Sequence, residues 1–226
     1  MRSESSLEVD RRILLFDFDG TIVVTEILAR LAIESYFSDK GIQVPAAFPQ
    51  MIVGKIWKLA VSQMAEEGRR LGIPLPAEDE LRREFQERYR ARFSEGVPLV
   101  PGFLERFPEL KSRAEFVGIV TGSERHEVEA ILASWGLEKE FERIWAAGEY
   151  PGSKPDPAPY LRAMSDLGVA PERVIVFEDS LAGMESAHRA GVSFVQISHE
   201  SHSPPADPRA LLTIRDWFEL PVQRKL

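Results

Sequence analysis

Four stretches of the chain are apolar without alternation and stop abruptly at polar residues: "ILLFDFDGT" (13–21), "EFVGIVTGS" (115–123), "RVIVFEDS" (173–180) and "VSFVQIS" (192–198). Short runs rich in Val, Ile, Leu and Phe that lack a polar face predict parallel strands covered on both sides. Between them the pattern changes to a helical period. In "SERHEVEAILASWG", Val128, Ile131, Leu132 and Trp135 follow i, i+3, i+4, i+7 spacing, with Ser123 expected as the N-cap and Gly136 as the stop. "APYLRAMSDLG" places Tyr160, Leu161, Met164 and Leu167 on one side and ends at Gly168, and "SLAGMESAHRAG" repeats the design to Gly191. Strands alternating with helices of this length predict an α/β fold with a parallel sheet and right-handed crossovers.

Residues 23–96 break that rhythm. They hold three helical patterns and no convincing strand: "TEILARLAIESYF", "QMIVGKIWKLAVSQMAEEGRRLG" and "AEDELRREFQERYRARF". Val53, Trp57, Ala60, Val61 and Met64 form an apolar stripe in the second, and Pro45, Pro49, Pro74 and Pro76 punctuate the joints. "EGVPLVPGF" then returns the chain to its strand–helix alternation. The organisation predicted is an α/β core, residues 1–22 and 97–226, carrying a helical insertion, residues 23–96. The tail, "SHESHSPPADPRALLTIRDWFELP", reads as a loop and a short last element.

With 226 residues the chain suits one large domain or one domain with a sizeable insertion. A formal charge of −8 argues against general nucleic-acid binding and against attraction to anionic membranes. The arginine–aromatic mixture of "ELRREFQERYRARF" is interleaved with glutamates, which predicts a solvated helix face. There is no cysteine, so neither a disulfide framework nor a thiolate metal site is available. The polar start, "MRSESSLEVDRR", lacks the apolar core of a signal peptide, and no apolar run is long enough to span a bilayer. The expectation is a cytoplasmic protein, monomeric or weakly dimeric, with no membrane or nucleic-acid partner. His199 and His202 have a ligand-like spacing, but their polar loop favours exposed histidines.

In an open parallel sheet, ligands bind beyond the carboxyl ends of the strands. The first strand brings Asp17, Asp19, Gly20 and Thr21 there; the second brings Thr121, Gly122 and Ser123; the third brings Glu178, Asp179 and Ser180. The connection before the third carries "GSKPDP", with Lys154 among Gly152, Pro155 and Pro157. On an extended strand Asp17 and Asp19 share a face while Phe18 turns inward. Adding Asp179 and Glu178 converges carboxylates that are untenable together without a hard cation, and oxygen ligands of this kind suit Mg2+. A cation beside carboxylates, a lysine, a hydroxyl and glycine-flanked N–H groups is a trap for a phosphoryl group. No cysteine or Ser–His pair offers a nucleophile, so a carboxylate must serve.

"DFDGT", "TGS", "KPDP" and "FEDSLAGMESAHRAG", in that order over residues 13–191, resemble the haloacid dehalogenase superfamily, in the branch with a helical cap after the first strand. The resemblance implies a Rossmann-like doubly wound core with an inserted all-helical cap, acting on a small phosphorylated metabolite such as a sugar phosphate or phosphoglycolate. It implies Asp17 as the nucleophile that forms an aspartyl-phosphate, Asp19 as general acid and base, Thr121 as the hydroxyl that holds the phosphate, and Lys154 as its charge partner. Asp17, the carbonyl of Asp19 and Asp179 resemble the Mg2+ ligands, with Glu178 a further contributor. Gly20, Thr21 and Gly122 resemble substrate-binding positions, and Lys55, beside Gly54, falls where such caps touch substrate. Thr21 matches the phosphatase type rather than the dehalogenase type.

Two positions depart from the family pattern. Val24 stands where an Asp of the cap hinge is common, and Ala29 stands where mutases of this branch carry a histidine. A phosphosugar mutase is therefore the second reading, and a non-catalytic binding protein the third.

Overall fold

Ile13–Phe16 (β1) is a four-residue strand with every residue buried, and its alternating side chains build two different cores. Phe16 stacks on Phe177 with ring centroids 4.7 Å apart and meets the edges of Phe103, Phe107 and Phe141. Ile13 and Leu15 point the other way, into a cluster with Val120, Val176, Tyr160 and Met184. Sidedness of this kind requires cover on both faces, which is why the strand reads as unbroken apolar sequence. Each fully buried large side chain contributes about 1.5–3 kcal/mol.

The computed structural model describes residues 9, 12–52, 57–199 and 204–221. The chain divides into two units, Met1–Val23 with Pro98–Leu226, and Val24–Val97.

In the second unit, Glu26–Asp39 (α1), Trp57–Leu71 (α2) and Glu78–Ala91 (α3) enclose a core of Ile33, Tyr36, Phe37, Phe48, Met64, Leu81 and Phe85. Trp57 packs against Phe85 and Tyr89, as its place in the apolar stripe predicted. The charged face of α3 is laced with ion pairs, Arg88 to Asp39 at 2.5 Å and Arg82 to Asp79 at 2.9 Å. Residues 51 and 52 form a turn rather than the start of the second helix.

The first unit continues with Phe103–Arg113 (α4), Phe116–Val120 (β2), Arg125–Ser134 (α5), Arg143–Trp145 (β3), Ala158–Leu167 (α6), Val174–Glu178 (β4), Leu181–Arg189 (α7), Ser193–Ile197 (β5) and Leu212–Ile214 (β6). The strands form one sheet in the order β3-β2-β1-β4-β5-β6, with every pairing parallel. The chain first builds outward from β1 through β2 to β3, then crosses back to lay β4 on the other side of β1. The reversal opens a crevice at the carboxyl ends of β1 and β4. The Rossmann-like α/β architecture expected from the sequence is the one observed.

Three elements were not legible. The edge strands β3 and β6 have three residues each, too few to show a period. Helix α4 carries Pro108 in its interior, which weakens its helical pattern. His199 is half-buried rather than exposed, and His202 lies outside the described residues. Among the described residues no helix is long and apolar enough to cross a membrane.

Candidate active site

Asp17 directly follows β1, and its N–H still donates to the Phe177 carbonyl at 2.9 Å, one register step past the strand. The chain then folds back: Ile22 and Val23 both donate to the Phe18 carbonyl, and Gly20 donates to Val23 at 2.7 Å. Gly20 has φ +80°, and a Cβ there would run into the Asp179 carboxylate, so only glycine satisfies both the turn and the close approach. It is this turn, not an extended strand, that sets the two aspartates. Asp17 accepts from the Lys154 ammonium at 2.5 Å, while the Asp19 carboxylate accepts from the Ser123 hydroxyl.

Ser123 thus has a different task from the expected helix N-cap. Glu124 occupies that position on α5 without a side-chain cap bond. Thr121 is fully buried; its Oγ1 accepts from the Ser123 N–H at 3.0 Å, and its carbonyl accepts from the Tyr150 hydroxyl. Gly122 is exposed, with nothing within 4 Å of where a Cβ would lie. Thr21 is fully buried, its Oγ1 finds no hydrogen-bond partner among the described residues, and its carbonyl accepts from Trp217 Nε1 at 2.9 Å. Lys55 lies outside the described residues.

Glu178 closes β4 with no exposure at all. Its Oε1 accepts from Lys154 at 2.6 Å and from the Tyr160 hydroxyl at 2.9 Å. Its Oε2 accepts from the N–H groups of Asp179 and Ser180 and from the Ser180 hydroxyl, at 3.1, 3.2 and 3.1 Å. That fills the acceptor capacity of a carboxylate. The Ser180 hydroxyl also accepts from the Gly183 N–H at 3.0 Å, capping α7. A Cβ on Gly183 would coincide with the Glu178 carboxylate, so this glycine is what admits the buried acid beneath the helix.

Lys154 has three N–H donors and uses all of them, on Asp17, on Glu178 and on the Val120 carbonyl at 2.9 Å. Its loop is held from below by Ser186 of α7, whose hydroxyl donates to the Asp156 carbonyl at 2.6 Å.

One lysine does not balance this many acids. Burial, with Glu178 and Asp19 adding to it against the opposing pull of Lys154, pushes the Asp17 carboxyl from 3.8 up to about 8. Burial and the charges of Asp17 and Glu178 likewise hold Asp179 well above the carboxylate range. Burial works against the Lys154 charge, but Asp17 and Glu178 overrule it and hold the ammonium well above its ordinary value. The cluster therefore retains protons that isolated groups would release, which is the condition a bound cation relieves.

Asp17, Glu178 and Asp179 can each present an oxygen within 4.8 Å of the others. This all-oxygen set fits a hard divalent cation. Both Glu178 oxygens already have protein donors, and Asp17 accepts from Lys154.

The sequence reading missed the tyrosines. Helical spacing marks Tyr160 only as an apolar helix position, and no sequence pattern singles out Tyr150. A buried tyrosine needs a partner for its hydroxyl, and two of them flanking the lysine loop were the available signal.

A doubly wound sheet that gathers acids, a lysine and a threonine at its switch point defines an α/β protein with a polar crevice at the carboxyl ends of its strands. Comparison with known proteins gives the family. The family model for haloacid dehalogenase-like hydrolases matches residues 14–197, and the chain belongs to that family. It is 30% identical over 179 residues to a phosphorylated carbohydrates phosphatase of Thermotoga maritima, covering 79% of this chain and 81% of the relative. It is 30% identical over 185 residues to the fructose-1-phosphate phosphatase YqaB of Escherichia coli, covering 81% of this chain and 95% of the relative. Among solved structures, CbbY from Rhodobacter sphaeroides in complex with phosphate superposes with a TM-score of 0.73 at 26% identity, over 93% of this chain and 96% of that one.

Proposed function

We propose that this enzyme is a Mg2+-dependent phosphatase that hydrolyses a small phosphorylated carbohydrate through an aspartyl-phosphate intermediate. The observation that carries the reading is Lys154, seated between Asp17 and Glu178 with Asp179 alongside, at the crevice between β1 and β4. The relatives named for phosphorylated carbohydrates and fructose 1-phosphate support the substrate class.

Asp17, Asp179 and the backbone carbonyl of Asp19 would hold Mg2+, which when bound offsets negative charge on the phosphoryl oxygens. Asp17 attacks phosphorus in line. Asp19 protonates the departing sugar oxygen, then takes a proton from the water that hydrolyses the aspartyl-phosphate. Lys154 exchanges its Asp17 bond for a phosphoryl oxygen, because Glu178 and the Val120 carbonyl keep the ammonium in place beneath it. The Thr121 hydroxyl and the Gly122 N–H bind the remaining oxygens. We read the helical unit as the family's cap.

Ala29, where a mutase would carry histidine, packs in the core of the helical unit beside Ile33 and Tyr36. That favours hydrolysis over return of the phosphoryl group to a sugar hydroxyl. The test is phosphate release from a panel of sugar phosphates and phosphoglycolate, with Mg2+ or with EDTA. Release that requires Mg2+ and is fastest on a sugar phosphate is expected. Interconversion of hexose phosphates with little free phosphate would overturn the reading.

A further inference from the structure

Tyr150 sits in the connection between β3 and the Lys154 loop, a place where nothing in the reaction above uses it. Its ring belongs to the core cluster that also contains Leu15, Val120 and Tyr160, and its hydroxyl donates to the Thr121 carbonyl. A carbonyl can only accept, so the direction of this bond is fixed. The same stretch is fastened alongside residues 121–125 by three further ties. Thr121 donates to the Trp145 carbonyl and Ala147 to the Ser123 carbonyl, each at 3.0 Å. Arg125 grips Glu149 with two bonds, at 2.6 and 2.8 Å.

The Thr121 carbonyl and the Gly122 N–H belong to one peptide group. That group is planar and trans, so the two point in opposite directions. Holding the carbonyl on the buried side, where the tyrosine lies, turns the N–H to the other side. Gly122 is exposed, with nothing within 4 Å of where a Cβ would lie, and among the described residues its N–H donates to no protein acceptor.

We infer that Tyr150 is a positioning residue: its hydroxyl locks the Thr121–Gly122 peptide so that the Gly122 N–H is aimed at the phosphoryl group before substrate arrives. The inference rests on the phosphatase reading and adds to it a residue outside the four sequence motifs. A donor aimed in advance needs no reorganisation when charge develops on the phosphoryl oxygens, which is where such donors act.

The test is Tyr150→Phe, which removes one oxygen and keeps the ring in its core. Thr121–Gly122 is the one Thr-Gly pair in the sequence, so labelling threonine carbonyls with 13C and glycine amides with 15N yields a single NMR signal for this peptide. On adding inorganic phosphate with Mg2+, the wild-type signal should move, and in Tyr150→Phe it should move far less. With the best substrate of the panel, kcat should fall about tenfold with KM little changed, the pattern of a lost transition-state contact. A hydrogen bond serving the fold alone would lower the melting temperature and leave kcat and the amide response intact, and that result overturns the inference. The wild-type titration stands by itself if the variant does not fold: a Gly122 signal that stays put at saturating phosphate also overturns it. Absence of wild-type turnover on every phosphomonoester would defeat the phosphatase reading instead, with the phosphate titration still deciding the role of Tyr150.

Discussion

Glu178 and Lys154 face each other at 2.6 Å, the acid fully enclosed and the lysine side chain 11% exposed. An ion pair this deep is costly to form and costly to break, since removing Glu178 leaves the buried Lys154 ammonium to Asp17 and the Val120 carbonyl. Glu178→Gln is expected to destabilise the metal-free protein by about 3–5 kcal/mol. Urea unfolding in EDTA measures it, and an unchanged midpoint would mean the pair does not hold the site together.

Gly183 makes room for that acid. Gly183→Ala places a methyl group where the Glu178 carboxylate lies, so helix α7 or the carboxylate must shift. The expected cost is about 1–3 kcal/mol, as for other overpacked sites. Activity should fall further than the lost stability explains, because Lys154 moves with its partner. Wild-type kcat in a folded Gly183→Ala protein would contradict this.

Asp17 gives a pH dependence with a definite sign. With its carboxyl pushed from 3.8 up to about 8 by burial, the folded metal-free protein keeps a proton that the unfolded chain has released. Over that window the group's contribution to stability falls as pH rises. Mg2+ must displace the proton, so its affinity should climb with pH and level off above about 8, and its stabilising effect should be larger at the alkaline end. Calorimetric titration at neutral pH in buffers of different ionisation enthalpy should register proton release on binding. Affinity independent of pH, with no proton released, would count against the arrangement.

Ser123 holds the carboxylate assigned here to proton transfer. In Ser123→Ala that carboxylate loses the hydroxyl, and kcat should drop about tenfold with KM little changed, a part of what general acid–base catalysis supplies. Ser123→Thr, which keeps the hydroxyl, should recover most of the rate. If alanine and threonine behave alike, the contact to Asp19 does not matter for turnover.

Much of this site was legible because its residues come in short local patterns. "DFDGT", "TGS" and "FEDS" each sit where an apolar run ends, and a parallel sheet gathers such ends by topology alone; "KPDP" lies in the connection before β4. What the sequence could not carry was the pairing between distant residues. Ser123 read as a helix cap because Ser before an amphipathic run usually is one; only the fold brings Asp19 to it. Nor could the sequence show that both oxygens of Glu178, expected as a further contributor at the metal, accept from Lys154, Tyr160, Ser180 and backbone N–H groups. Thr21, expected at the substrate, is buried because the turn after β1 folds back on itself. The short edge strands β3 and β6 take their conformation from the neighbours they pair with, not from local pattern.

The most direct test of the central claim is to look for the phosphoryl group on Asp17 itself. Wild-type enzyme mixed with its best sugar phosphate and Mg2+, quenched in acid within a turnover and digested, should yield the peptide containing Asp17 heavier by one phosphoryl group. Asp17→Asn should give neither that peptide nor phosphate release. Continued turnover in Asp17→Asn, or a phosphoryl group on any other residue, would contradict the account.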